Sequence, residues 1–174
     1  MNAANDNHDN DAAHWESVEE ACELLLEERY EDGLTALRDV IKADPTNPYA
    51  YHYAGVALYE LRQLEPARDA YRAALRYAPA YLAARVGLSH VLRELGDARA
   101  ALIEAQEALA RFPRDADAMR AAGLAHAALG QRKAARRQLE GYLGAGPEVE
   151  QRLEVQQVLE MLGIGDEGDP FEVN

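Results

Sequence analysis

The chain has 174 residues, 48% of them hydrophobic, enough for one domain with a real core and too few for two comfortable ones. Its single cysteine, Cys22, excludes an intramolecular disulfide and makes a cysteine-based zinc site implausible. The net charge of −13 divides into −10 over residues 1–47, +3 over 48–149 and −6 over 150–174. That balance argues against nonspecific binding to nucleic acid or anionic membrane, each of which needs a basic face.

Taken in chain order, residues 1–13 are polar and acidic, without the apolar segment of a signal peptide, and are predicted to be a disordered tail. No later run reaches the length of a membrane span. The expectation is a soluble cytoplasmic protein that does not insert into membranes. From residue 14 onward Ala and Leu dominate the apolar content, and no alternating Val, Ile and Thr run suggests a strand, so the pattern is all-helical. The first helix carries Trp15, Val18, Cys22 and Leu25 on one stripe, with Glu16, Glu19, Glu20, Glu23 and Glu27 on the opposite, solvated face. In DPTNP, Asn47 can cap the next helix while Pro48 takes its first turn, where a missing N–H costs nothing. Residues 49–60, YAYHYAGVALYE, hold four of the nine tyrosines. The basic run RKAARR (132–137) is expected on the outer surface. Residues 148–163 are expected to form a capping helix with Val149, Leu153, Gln156, Leu159 and Leu162 at helical spacing. GIGDEG (163–168) matches G-x-G-x-x-G in letters. It follows a helix rather than a strand, so it reads as a helix stop and not a nucleotide loop. Residues 164–174 are predicted to be an acidic flexible tail.

Pro45, Pro79, Pro113 and Pro147 are spaced by 34 residues throughout. Other columns keep the same period. Twelve positions before each proline stand Gly33, Ala67, Ala101 and Ala135; twenty-four before stand Ala21, Gly55, Ser89 and Gly123; four before stand Ile41, Leu75, Leu109 and Leu143. Small residues let helix backbones approach, and each proline stops the helix before it. Gly96 and Gly130 punctuate the turn inside two of the units, where the other two carry Glu28 and Arg62.

This pattern resembles the tetratricopeptide repeat (TPR) family, with repeats at 14–47, 48–81, 82–115 and 116–149. The resemblance implies an all-α, right-handed α-solenoid of about four helix pairs plus a C-terminal capping helix. It also implies that the first helix of each repeat lines a concave channel where ligand segments bind. The family's groove columns carry over to Tyr49, His52, Tyr53, Val56 and Tyr59 in the second repeat and to Val86, His90 and Arg93 in the third. In the fourth they give Asp117, Arg120 and Leu124, and Trp15, Val18, Cys22 and Leu25 join them if the first repeat keeps its register. Tyr51 and His126 fall in packed columns. Aromatic residues at helical spacing also serve as core, so the direction of each side chain decides its role.

The family's grip on a C-terminal carboxylate through Lys and Asn is missing, because its positions hold Val18, Cys22, Tyr53, Ala83 and Gly87. A metal site at His52 and His90 would need further ligands, for which only Glu60 or Glu94 could be put forward, and nothing fixes them there. No cofactor is expected. Cys22 has no accompanying nucleophile elbow or oxyanion loop, so it reads as a structural thiol and the chain as a non-enzyme. The functional expectation is a protein–protein interaction module that binds a partner peptide or helix through hydrophobic anchors in the groove. Two alternatives stand beside it: a chaperone of the bacterial type III secretion kind holding a hydrophobic export substrate, or a self-assembling homo-oligomeric scaffold, in which the solenoid self-associates or its tail, with Phe171, occupies its own or a neighbour's groove.

Overall fold

A computed structural model describes residues 11–164. Ten helices and no strands occur among the described residues: α1 (residues 11–16), α2 (Glu19–Leu26), α3 (Tyr30–Ala43), α4 (Pro48–Glu60), α5 (Leu64–Tyr77), α6 (Leu82–Glu94), α7 (Ala98–Arg111), α8 (Ala116–Ala128), α9 (Arg132–Gly144) and α10 (Val149–Ile164). Residues 11–13, assigned to the N-terminal tail on sequence grounds, are therefore helical. The C-terminal tail from residue 165, with Phe171 and most of GIGDEG, lies outside the described residues.

The 34-residue period is visible in the helix starts. The first helices of the second to fourth repeats open at Pro48, Leu82 and Ala116, and the second helices of all four at Tyr30, Leu64, Ala98 and Arg132. Each proline follows a second helix within two or three residues. Between the helices of every pair the chain makes the same left-handed turn, at Glu28 (φ 59°), Arg62 (φ 59°), Gly96 (φ 85°) and Gly130 (φ 70°). In each turn the next amide reaches back to the helix: Arg29 N–H donates to Leu24 O, Gln63 to Leu58, Asp97 to Leu92 and Gln131 to His126, at 2.8–2.9 Å. These bonds satisfy carbonyls left open at the helix end, so the turn is kept even where glycine is not.

Small residues set the packing. Ala50, Ala57, Ala67, Ala74, Ala84, Ala101, Ala118 and Ala135 are fully buried between neighbouring helices. The Tyr71 ring of α5 lies against both Gly55 and Gly87; a Cβ would come within 2.8 Å of it at Gly55 and 2.6 Å at Gly87. Successive first helices touch one another (α2 with α4, α4 with α6, α6 with α8), and no contact of that extent joins successive second helices. The stack therefore curves, with the first helices on the inside.

Two places depart from the regular array. The first helix of the first repeat is broken at residues 17–18 into α1 and α2. Fully buried Asn47 ties the break together. Its Oδ1 accepts from the Tyr49 and Ala50 amides to cap α4, while its Nδ2 donates to His14 O and Ser17 Oγ, both at 2.9 Å. The second departure is α10, which opens at Val149, one residue ahead of the period, and takes the place of a fifth first helix, with Glu154 meeting Arg120, 34 positions earlier. That register corrects the expected capping stripe. Val155, Val158, Leu159 and Leu162 pack with Leu124, Leu139 and Tyr142, whereas Val149, Leu153 and Gln156 face outward.

Candidate functional site

The inner face divides into an aromatic half and a charged half. In the aromatic half, α1 presents Trp15, 42% exposed, against Tyr49 (ring centroids 5.7 Å apart) and Tyr53 (6.0 Å) of α4. Tyr49 packs edge-on to Tyr81 at 5.4 Å, and His52 lies 4.9 Å from Tyr53 and 4.8 Å from Tyr81. Tyr49 donates its hydroxyl to Asp11 at 2.8 Å. Burial pushes the Tyr49 phenol up to about 12, aided by the bond to Asp11. Burial likewise pushes Tyr53 up to about 12, with Cys22 adding to it. Burial raises the Cys22 thiol against an opposing hydrogen bond from Tyr53, so the thiol is no ready nucleophile. Desolvation lowers His52 to about 4, leaving it neutral at physiological pH.

The charged half starts at Tyr59, whose hydroxyl donates to Glu94 in a short hydrogen bond. Arg62 pairs with the same carboxylate at 2.9 Å and Arg93 approaches it at 3.8 Å. Burial alone would raise Glu94, but Tyr59, Arg62 and Arg93 outweigh it and hold the carboxyl below its usual range. Arg120 of α8 meets Glu154 of α10 at 2.5 Å. Burial, then Arg120 and Arg93, pushes His90 down to about 4.

Of the residues expected in the groove, Tyr49, Tyr53, Val56 and Tyr59 are half-buried along the inner side of α4, and His90, Arg93 and Arg120 are half-buried on α6 and α8. His52 is buried beneath its aromatic neighbours. Val86 and Leu124 are corrections. Val86 is enclosed with Ala118, Ala121 and Ala122 of α8, and Leu124 with Val155 and Leu162 of α10, because the following helix covers each. Val18 is likewise fully buried, while Asp117 is exposed. Tyr51 is half-buried, stacked on Tyr77 at 5.7 Å with its hydroxyl on Pro45 O. His126 is buried and bonded to Gln131 at 2.6 Å. Among the described residues no three His, Cys, Asp or Glu side chains converge so as to hold a metal ion. No helix there is long and apolar enough to cross a membrane.

Sequence reasoning missed Tyr81, Arg62 and Glu154. Tyr81 has a legible signal. It stands 34 residues after Asn47 and 34 before Asp115, both of which cap the helix that follows, whereas α6 has no side-chain cap. Forgoing a cap costs about 1 kcal/mol, and a local rule broken without evident gain marks a position held for another purpose. Here the cap gives way to an aromatic ring packed between Tyr49 and His52.

An array of helix hairpins curved around a lined inner face is a repeat solenoid with a concave groove. The tetratricopeptide repeat family profile matches residues 18–82 and 86–150, and the chain belongs to that family. No curated protein matches the chain significantly. Among solved structures, residues 41-end of MamA from Desulfovibrio magneticus RS-1 superpose with a TM-score of 0.74 at 20% identity, over 84% of this chain and 81% of that one. YrrB, described as a TPR protein with an unusual peptide-binding site, gives 0.69 at 21% identity over 86% and 76%. The first TPR of Spaghetti (RPAP3), bound to the HSP90 peptide SRMEEVD, gives 0.60 at 18% identity over 67% and 93%.

Proposed function

We propose that this chain is a non-catalytic interaction module that binds a segment of a partner protein in its concave groove. The observation that carries the reading is the half-open aromatic cluster of Trp15, Tyr49 and Tyr53 on the inner face. Large, rigid rings with one face free supply contact area at little entropic cost and dominate binding energy where they are found. Two of the similar folds are described as binding peptides, which agrees with the reading. The ligand it fits is an extended or helical segment with hydrophobic anchors for the aromatic half.

Trp15 is the chain's only tryptophan, so the groove carries its own fluorescent reporter. Titration with aromatic-containing peptides should shift its emission. The double variant Tyr49→Ala, Tyr53→Ala should bind about tenfold or more weakly, the loss expected when a central anchor is removed. Binding that leaves Trp15 emission unchanged and survives the double variant would refute a groove site. Self-association has one observation in its favour: α10 exposes Val149, Leu153 and Met161 at intervals of one or two helical turns. A concentration-dependent mass by light scattering, lost in Leu153→Glu, is the expected result on that second reading.

A further inference from the structure

The charged half of the groove contains a cavity of about 250 Å³ lined by Tyr71, Gly87, His90, Arg93, Arg120 and Glu154 among others. It is smaller than the roughly 300–1,000 Å³ of small-molecule sites and suits a single side chain. The Nε atoms of Arg93 and Arg120 are buried there without a hydrogen-bond partner. A guanidinium has five N–H donors in a planar fork matched to a carboxylate. Arg93 meets an acid only at 3.8 Å, and Arg120 uses one terminal nitrogen. Buried donors left unmade are costly, so the pair is set for an acceptor that can take more of them.

The charges point the same way. Three guanidiniums, Arg62, Arg93 and Arg120, face two carboxylates, Glu94 and Glu154. Glu94 is held by Tyr59 as well as by arginine and is mostly buried. Glu154 is different. Its side chain is 49% exposed and its hydrogen bond is to Arg120, from α10. It can swing into water while its helix stays in place.

We infer that this cavity seats a carboxylate of the bound segment, and that Glu154 holds its place until the segment arrives. The inference rests on the groove reading above and adds an acidic residue to the ligand's hydrophobic anchors. The structural argument is the pairing of buried, unmatched guanidinium donors with one half-exposed, displaceable acid from the terminal helix.

The test uses the full chain labelled with nitrogen-15, reading the Nε–Hε signals of Arg93 and Arg120. Glutarate is the simplest probe. Capped acetyl-Phe-Glu-Phe-amide, its glutamine counterpart, and acetyl-Phe-Gln-Phe with a free terminus separate a side-chain carboxylate from a terminal one. Glutarate should move both arginine signals, and Glu154→Gln should bind it about two- to fivefold more tightly, the scale of a partly exposed ion pair. Arg93→Gln, with thermal melting to show that it folds, should weaken binding. The peptide that moves the signals assigns the carboxylate to a side chain or to a chain end, and either supports the seat. Unmoved arginine signals in Glu154→Gln, or equal movement by capped glutamine peptide, would overturn it. Trp15 emission in the same titrations keeps the groove reading separate: a response at Trp15 with silent arginines leaves the groove and removes the carboxylate seat.

Discussion

Replacing Glu28 with glycine should stabilise the protein, although it removes a side chain and adds none. Glu28 occupies the left-handed turn at φ 59°, the position that Gly96 and Gly130 fill in later repeats. A non-glycine residue held there costs roughly 1–2 kcal/mol through the clash of its Cβ with the following carbonyl. Glycine regains this but loses roughly 0.5–1 kcal/mol of unfolded-chain entropy. The net gain is about 0.5–1 kcal/mol, and for a chain of this size the melting temperature should rise by about 2 °C. Glu28 is exposed, so little packing is lost. Arg62→Gly is the internal control. It relieves the same strain at φ 59° but gives up the ion pair with Glu94 and the stacking of Arg62 over the Tyr59 ring, so its gain should be close to zero. Urea denaturation followed by far-ultraviolet circular dichroism reads both, with the denaturant slope showing whether the array still unfolds cooperatively. A midpoint for Glu28→Gly at or below wild type would refute the argument that the shared turn, rather than its residues, dictates the conformation.

Asn47→Ala should cost about 2 kcal/mol or more, since it removes the cap of α4 and both donations to the α1 end. Asn47→Asp should keep the cap but set a buried carboxylate oxygen against His14 O, releasing α1 at a further cost, which a red shift of Trp15 emission would report. The two low-pKa histidines set a pH dependence. His52 and His90 are held near 4 in the folded chain against 6.5 when exposed, so the unfolded chain takes up protons first as pH falls. Stability should be full above pH 6.5 and decline between 6.5 and 4, by up to about 3 kcal/mol for each group. For His90 this holds with Arg93, Arg120, Glu94 and Glu154 around it. His52→Phe should flatten that decline in urea midpoints measured from pH 7 to 4.5; an unchanged slope would show that burial does not set the histidine's proton affinity.

The sequence by itself determined the repeat. Four prolines at one interval and small residues in register, with turn glycines in the last two repeats, meet local requirements of a helix hairpin, and a local requirement repeats whenever the hairpin does. It also placed Tyr49, Tyr53 and Tyr59 on one side of α4, because helical spacing fixes which residues share a face. Tertiary structure decided how open each position is. Val86 and Leu124 share the groove columns of their neighbours, yet the next helix covers them, and burial by a following element is not written in a residue's own period. The outward face of α10 was decided in the same way, by its docking as a fifth first helix. The charged cavity depended on it most. Arg93, Arg120 and Glu154 lie on three different helices, and only the 34-residue stagger of the stack brings their charges within reach of one another.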